Sequence, residues 1–320
     1  MATIRDIAGA AGVSVTTVSR VLNDHPYVSK DKRERVKTAM QSLGYTRNIH
    51  AVHLSKGFSD MIGVVLPSVN LPYFADLVTG IAEAAEASAH LSLYQTDYQQ
   101  QKERFALSQL QERQVDGLII CSKAIPDEHL LTVKEPLILC QYTDAAGLSS
   151  ISNPHREAFR HGLDYLIEKG HRKIAISLAR KKGKNSQVRI AAYKEALKKI
   201  GQPYREELVV EKALTLLDGK ALFHKWKSWD DKPTALFAAN DQVSAGLYLE
   251  AKANGTRIPE ELAILSIDNH DISKMLGIST IDIQTKEMGK QAFHMLENRI
   301  SGGPPARKVL DYRLIERSTV

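Results

Sequence analysis

From Met61 onward, short apolar runs alternate with longer amphipathic stretches, and no other feature of the 320-residue sequence narrows its possible folds as far. MIGVVLP (61–67), LSLYQT (91–96), VDGLIIC (115–121), PLILCQY (136–142), KIAISL (173–178), ELVVE (207–211), TALFAA (234–239) and LAILSID (262–268) read as strands. The segments 73–89, 99–113, 126–134, 155–169, 187–200, 218–229 and 241–254 read as helices. In the first of these, Leu77, Ile81, Ala84 and Ala85 point inward. Strands that are apolar on both faces need cover on both, which parallel, doubly wound α/β sheets provide. Roughly ten such strands in two groups predict two lobes with right-handed crossovers, and a ligand site beyond the carboxyl ends of the strands.

Composition removes several alternatives. No apolar run approaches the roughly 18–20 residues that span a bilayer. The opening MATIRDIAGAAG lacks a long apolar core after a basic start. The expectation is a cytoplasmic protein with no membrane partner. The two cysteines, Cys121 and Cys140, each sit inside an apolar run, which excludes a disulfide framework and a thiolate zinc site and predicts buried free thiols. There is no Gly-x-Gly-x-x-Gly after a strand, no P-loop, no His-Glu-x-x-His and no Gly-x-Ser-x-Gly. The eleven histidines show no convincing metal spacing. The chain therefore reads as a non-enzyme without cofactor or metal.

Charge is unevenly placed. Residues 1–57 hold nine basic and four acidic side chains, a net of +5, against +6 for the whole chain. A compact basic module joined to a near-neutral body suits a polyanion-binding head, although a solvated mixed-sign helix over 30–37 would look the same by charge alone. Thr3 can cap a helix that turns Ile4, Ile7, Ala8 and Ala11 inward, and Gly12 stands where that helix must stop. Val13 can plug the turn. Ser14 can cap a second helix, Val15 to Leu22, with Val18, Val21 and Leu22 inward. A third amphipathic helix from Ser29 to about Leu43, with Val36, Ala39, Met40 and Leu43 inward, closes a small core and completes a helix-turn-helix. The start of the second helix in such a unit enters the major groove. There Val15 can touch a thymine methyl, Thr16 can bond base edges and Arg20 can pair bidentately with guanine. Ser14, Thr17, Ser19 and Asn23 suit phosphate oxygens.

TIRDIAGAAGVSVTTVSRVLN, followed by VSKDKRERVKTAMQSLGYTRN, resembles the head of a LacI/GalR transcriptional regulator. IGVVLPSVNLPYF, VDGLII, EKGHRKIAI, ANDQVSAG, GTRIPEELAILSIDN, STIDIQTKEMG and LIERST extend the resemblance along essentially the whole chain. The resemblance implies a homodimer on a pseudo-palindromic operator in double-stranded DNA. Val15, Thr16 and Arg20 would read bases, and Thr3, Ser14, Thr17, Ser19, Asn23 and Tyr27 would contact the backbone. It also implies a periplasmic-binding-protein-like body whose chain crosses three times between lobes. The domains would be 1–46 for the head, 47–59 for a hinge and 60–320 for the core. Lobe one would take about 61–153 and 281–309, and lobe two about 154–280 and 310–320. In the hinge, Tyr45, Asn48, Ala51 and Leu54 fit the family pattern, whereas Arg47 replaces a proline and Val52 an arginine. Leu54 would wedge into the minor groove and Ala51 would meet its dimer mate. A passive linker is the plainer alternative.

Matching strand ends to the resemblance places an effector site at Ser68, Asn70, Tyr73, Phe74, Arg189, Asn240 and Asp268. Arg189 can fork onto vicinal hydroxyls, a carboxylate or a phosphate. The implied effector is a sugar or sugar phosphate, and the basic loop 179–186 either favours an anion or is simply solvated. Each position also has a structural reading: Asn240 as a helix cap, Tyr73 or Phe74 as lobe core, Arg189 in a surface ion pair. The catabolite-control branch of the family adds another possible partner, serine-phosphorylated HPr, near Gln99–Leu110 and Asp282–Lys286.

Overall fold

The computed structural model describes residues 2–45, 58–180 and 183–320. The hinge positions Asn48, Ala51 and Leu54 lie outside the described residues. The chain divides into two compact units, Met1–Ser59 and Asp60–Val320.

The first unit is three helices, α1 (Ile4–Ala11), α2 (Val15–Leu22) and α3 (Lys30–Ser42). Thr3 and Asp6 form a capping box at the start of α1: the Thr3 hydroxyl accepts from the Asp6 N–H, and the Asp6 carboxylate accepts from the Thr3 N–H. Gly12 ends α1 at φ +61°, in the left-handed region where a Cβ is strained. Ser14 caps α2 by accepting from the Thr17 N–H. Ile7, Ala8, Ala11, Val18, Val21, Val28, Val36 and Ala39 form the core, with Val13 packed against it. Leu43 is the exception to the predicted inward set, at 39% exposed. It lies past the end of α3, where the chain has turned, and Tyr45 packs onto the core instead. Two arginines secure the loops: Arg33 donates to Asp24 and to the carbonyls of His25 and Val28, and Arg35 donates to the Gly12 carbonyl.

The second unit carries two six-stranded sheets. The first has the order β11-β5-β4-β3-β1-β2, from β1 (Met61–Leu66), β2 (His90–Gln95), β3 (Gly117–Ile120), β4 (Leu137–Leu139), β5 (Ser149–Ser152) and β11 (Arg307–Val309). The second has the order β12-β10-β9-β8-β6-β7, from β6 (Ile174–Ser177), β7 (Val209–Val210), β8 (Ala235–Phe237), β9 (Ala263–Ile267), β10 (Ser279–Asp282) and β12 (Arg313–Ile315). Every pairing is parallel except β10 with β12. The helices are α4 (Pro72–Ala85), α5 (Gln100–Gln111), α6 (Asp127–Leu131), α7 (His155–Glu168), α8 (Lys184–Lys199), α9 (Leu216–Ser228), α10 (Asp241–Ala253), α11 (Asp271–Met275) and α12 (Thr285–Ile300). Each sheet separates two apolar clusters, so both lobes are doubly wound α/β layers. The chain passes between the sheets after β5, β10 and β11. Because β10 runs to Asp282, the second passage falls just beyond the expected 280/281 division.

Candidate functional site

On the head, α2 buries Val18 and Val21 and presents its other face to solvent. Val15 is 46% exposed, and Thr16, Arg20 and Asn23 are exposed as well. Among the described residues, no carboxylate pairs with Arg20. Thr17 and Ser19 are half-buried. The Thr17 hydroxyl shares a 2.9 Å hydrogen bond with Ser14, so both hydroxyls serve the cap and keep only spare lone pairs for a phosphate contact. Thr3 is likewise engaged in its capping box. Tyr27 is 86% exposed, its ring tilted against His25 at 5.6 Å. An exposed polar face on a short, firmly capped helix can meet base edges in a groove.

In the second unit, the carboxyl ends of both sheets border a cavity of about 180 Å³, which adjoins an outer chamber of about 850 Å³. Tyr98, Ser122, Gln141, Ala179, Asn185 and Ser186 line both spaces. Tyr73 packs against the cores of both lobes and faces the cavity, and burial pushes its phenol well above 10. Phe74, edge-on to Tyr73 at 5.1 Å, is buried in the core of the first lobe and also lines the cavity. Cys121 and Cys140 form part of the first lobe's wall. They occupy the next rung of the β3–β4 register as buried free thiols, with burial, and then the neighbouring Cys140, pushing Cys121 up.

The second lobe supplies the charge. Arg189 on α8 is 9% exposed, donates from Nη1 to the Ala239 carbonyl at 2.9 Å, and leaves its buried Nε–H without a partner. Arginine stays protonated even when buried. Among the described residues no carboxylate pairs with Arg189, so the surface ion pair considered from sequence is not seen. Asp268 follows β9 on the same wall, and burial raises it to about 6 against the pull of His270 and Arg189. Asn240 does cap a helix: its Oδ1 accepts from the Val243 N–H that opens α10 and its Nδ2 donates to the Leu214 carbonyl, while the residue still lines the cavity.

Ser68 and Asn70 are corrected. Neither reaches the cavity: the Ser68 hydroxyl accepts from the Asn70 N–H in the loop after β1, and Asn70 is exposed. The strand order β2-β1-β3 opens the crevice on the β3 side of β1. The residues that follow β3 and β4, Ser122 and Gln141, therefore face the ligand space instead. His155, Asn185, Gln242 and His270 also escaped sequence reasoning. The strand-end rule could have found Ser122 and Gln141, but no local signal marks the other four. Helix α8 starts at Lys184, three residues earlier than its spacing predicts, which brings Asn185 and Ser186 to the rim.

Among the described residues, no three His, Cys, Asp or Glu side chains gather as metal ligands, and no helix is long and apolar enough to cross a membrane. Residues 3–48 match the description of bacterial regulatory proteins of the lacI family, and residues 163–320 that of a periplasmic binding protein-like domain. The chain is 70% identical over 321 residues to the HTH-type transcriptional regulator YkvZ of Bacillus subtilis (strain 168), with both chains fully covered. It is 33% identical over 300 residues to catabolite control protein B of the same organism, covering 92% of this chain and 94% of that one. The lac repressor dimer bound to operator and the anti-inducer ONPF superposes with a TM-score of 0.84 at 26% identity, covering 99% of this chain and 98% of that one.

Proposed function

This chain belongs to the LacI family of bacterial regulatory proteins, DNA-binding transcriptional regulators with a ligand-binding body, and on that premise we propose that it is a homodimeric repressor of carbohydrate-utilisation genes, released or engaged by a small ligand in the interlobe cavity. Its dimer reads a pseudo-palindromic operator. Helix α2 lies in the major groove, where Val15, Thr16 and Arg20 read bases. Thr3, Ser14, Thr17, Ser19, Asn23 and Tyr27 hold the backbone, and Asn48, Ala51 and Leu54 act in the hinge. The exposed face of α2, with Arg20 free of any carboxylate among the described residues, carries this reading.

The ligand is a sugar or sugar phosphate. Its ring stacks on Tyr73 and its vicinal hydroxyls or phosphate meet Arg189, whose unpartnered buried Nε–H calls for an acceptor. Asp268 accepts from a further hydroxyl. Asn240, already bonded at both ends, shapes the wall. The Lac repressor structure, which holds both operator and anti-inducer, supports a body that answers to a small molecule.

Two measurements test the reading. In selection from random duplexes followed by fluorescence anisotropy, Arg20→Ala is expected to cost about 1–3 kcal/mol on the selected site and to relax specificity at one position. An unchanged specificity ratio removes Arg20 as a reader. In thermal-shift assays with sugars and sugar phosphates, a ligand at about 100 times its Kd adds roughly 2.7 kcal/mol, and a blank panel removes the sugar assignment.

A second reading, control by serine-phosphorylated HPr on the first lobe, is favoured by one observation. Phe105 on α5 is 58% exposed and Leu93 on β2 48%, with Tyr94 against Phe105, an apolar surface suited to a protein partner. Failure of this chain to bind serine-phosphorylated HPr removes that reading.

A further inference from the structure

His270 lies in the turn after β9, between two carboxylates from opposite lobes. Its Nδ1 is 2.9 Å from Asp76 Oδ2 on α4 of the first lobe, and its Nε2 is 3.5 Å from Asp268 Oδ2 on the cavity wall. The His270 side chain is 9% exposed and that of Asp268 5%. The turn is firmly held. The His270 N–H donates to Asp241 Oδ2 at 2.6 Å, and the other Asp241 oxygen accepts from Thr280. Arg317 donates to Asn269 Oδ1, and Asn269 donates to Asp282. Asp268 itself stands at φ +118° and Asn269 at +64°, backbone that persists only where the surroundings over-determine it.

Resting on the ligand-cavity reading above, we propose that His270 is a positioning residue that, as an imidazolium, aims Asp268 into the cavity and ties it to the first lobe through Asp76, so that the presentation of Asp268 and the arrangement of the lobes change together. A neutral imidazole has one N–H and can donate to only one of the two carboxylates, whereas the imidazolium donates at both nitrogens. The Nε2 contact is at ion-pair rather than hydrogen-bond distance, and Nε2 has no hydrogen-bond partner. A ligand acceptor at the cavity wall competes with Asp268 for that N–H, and a ligand that takes it alters the tie.

The electrostatic surroundings favour the charged ring. Burial opposes the charge, but Asp268, then Asp241 from α10 and Asp76 from α4, outweigh it and carry His270 up to about 9. The remaining charges around the turn are Asp271, paired with Lys274 on α11, Arg189 facing Asp268 from α8, and Arg317 on Asn269. A folded-state value raised above 6.5 means that the contribution of His270 is fully present below about 6.5 and is lost as pH rises through about 9.

The test uses the ligand-free, DNA-free full chain. Histidine-ring NMR across pH 5–10, with His270→Asn identifying the resonance, is expected to give a midpoint near 9 that drops by about one unit or more in Asp76→Asn. Small-angle scattering is expected to show the lobes separating as the pH passes that midpoint, and at lower pH in Asp76→Asn. Asp76 is 48% exposed at its side chain, so its substitution keeps the test alive if His270→Asn fails to fold. A midpoint near 6.5 that ignores Asp76→Asn, or a scattering profile that stays flat through pH 10 while circular dichroism shows a folded chain, overturns the proposal. Neither readout involves ligand or operator, so this tie and the proposed function stand or fall on separate measurements.

Discussion

In the first lobe, α4 and α12 touch backbone to backbone where Gly80 meets Gly289. In the second, α9 and α10 do the same where Gly219 meets Gly246. A Cβ on Gly80 would lie 2.0 Å from the Lys286 carbonyl oxygen and one on Gly289 2.2 Å from that of Leu77. The corresponding distances are 2.1 Å from Gly219 to Val243 and 1.9 Å from Gly246 to Leu216. The first pair joins helices some two hundred residues apart (72–85 with 285–300), while the second joins helices that are consecutive in the chain. The same seam therefore arises from distant and from adjacent segments. The two lobes nevertheless meet the cavity with different chemistry. The first offers Tyr73, Phe74, Cys121 and Cys140 with the polar groups of Tyr98, Ser122 and Gln141, and the second Arg189, Asn240, Asp268 and His155. Packing two helices closely on a sheet admits few solutions, whereas residues just past a strand end carry little of the core and are free to diverge.

The largest effects should fall on the shared seam. Gly80→Ala and Gly246→Ala each drive a methyl into a carbonyl and are expected to lower the unfolding free energy by about 3 kcal/mol in urea titrations. A gap of more than about 1 kcal/mol between the two variants would break the equivalence of the seams. The next effect belongs to the second lobe's wall. Arg189→Met is expected to weaken binding of the best ligand from the thermal-shift panel by about 2 kcal/mol without lowering stability, because it removes a buried guanidinium that has no ion pair among the described residues. An unchanged affinity would return Arg189 to a purely structural role.

His155 sharpens the comparison through pH. Burial, and then Arg189, hold it neutral down to about 3, so below 6.5 the unfolded imidazole takes up a proton that the folded one refuses. Its contribution is present above 6.5 and is lost as the pH falls toward about 3. In Tm measurements, His155→Gln should flatten the profile between pH 6.5 and about 4.5, and an unchanged slope there would assign the acid limb to other groups. The smallest effect is expected on the first lobe's wall. Cys140→Ala should change ligand affinity by less than about 0.5 kcal/mol in calorimetry. A larger loss would show that this wall contributes more than shape.

Much of the molecule was legible residue by residue. Thr3, Gly12 and Ser14 mark the helix ends of the head because capping bonds span three or four positions. The alternation after Met61 announces doubly wound lobes because both faces of the interior strands are covered. Leu43 was misjudged because helical spacing does not say where the chain leaves the helix. Of the cavity positions, Tyr73, Phe74, Arg189, Asn240 and Asp268 line it, while Ser68 and Asn70 do not. The rule that ligands sit beyond strand ends does not say which strand ends face the crevice.

Local patterns of spacing, caps and turn residues were enough to dictate the helix-turn-helix head and the α/β body, since each depends on neighbours within about four residues or on a period of 2 or 3.6. Tertiary structure alone decided which polar groups share the cavity. Ser122 and Gln141 face it because of the order of strands in the first sheet. Arg189 keeps an unpartnered N–H there because the ends of β8 and β9 converge on α8. His270 meets Asp76 across 194 positions of sequence, a pairing that no periodicity encodes because it forms only once two separately wound sheets stand opposite each other.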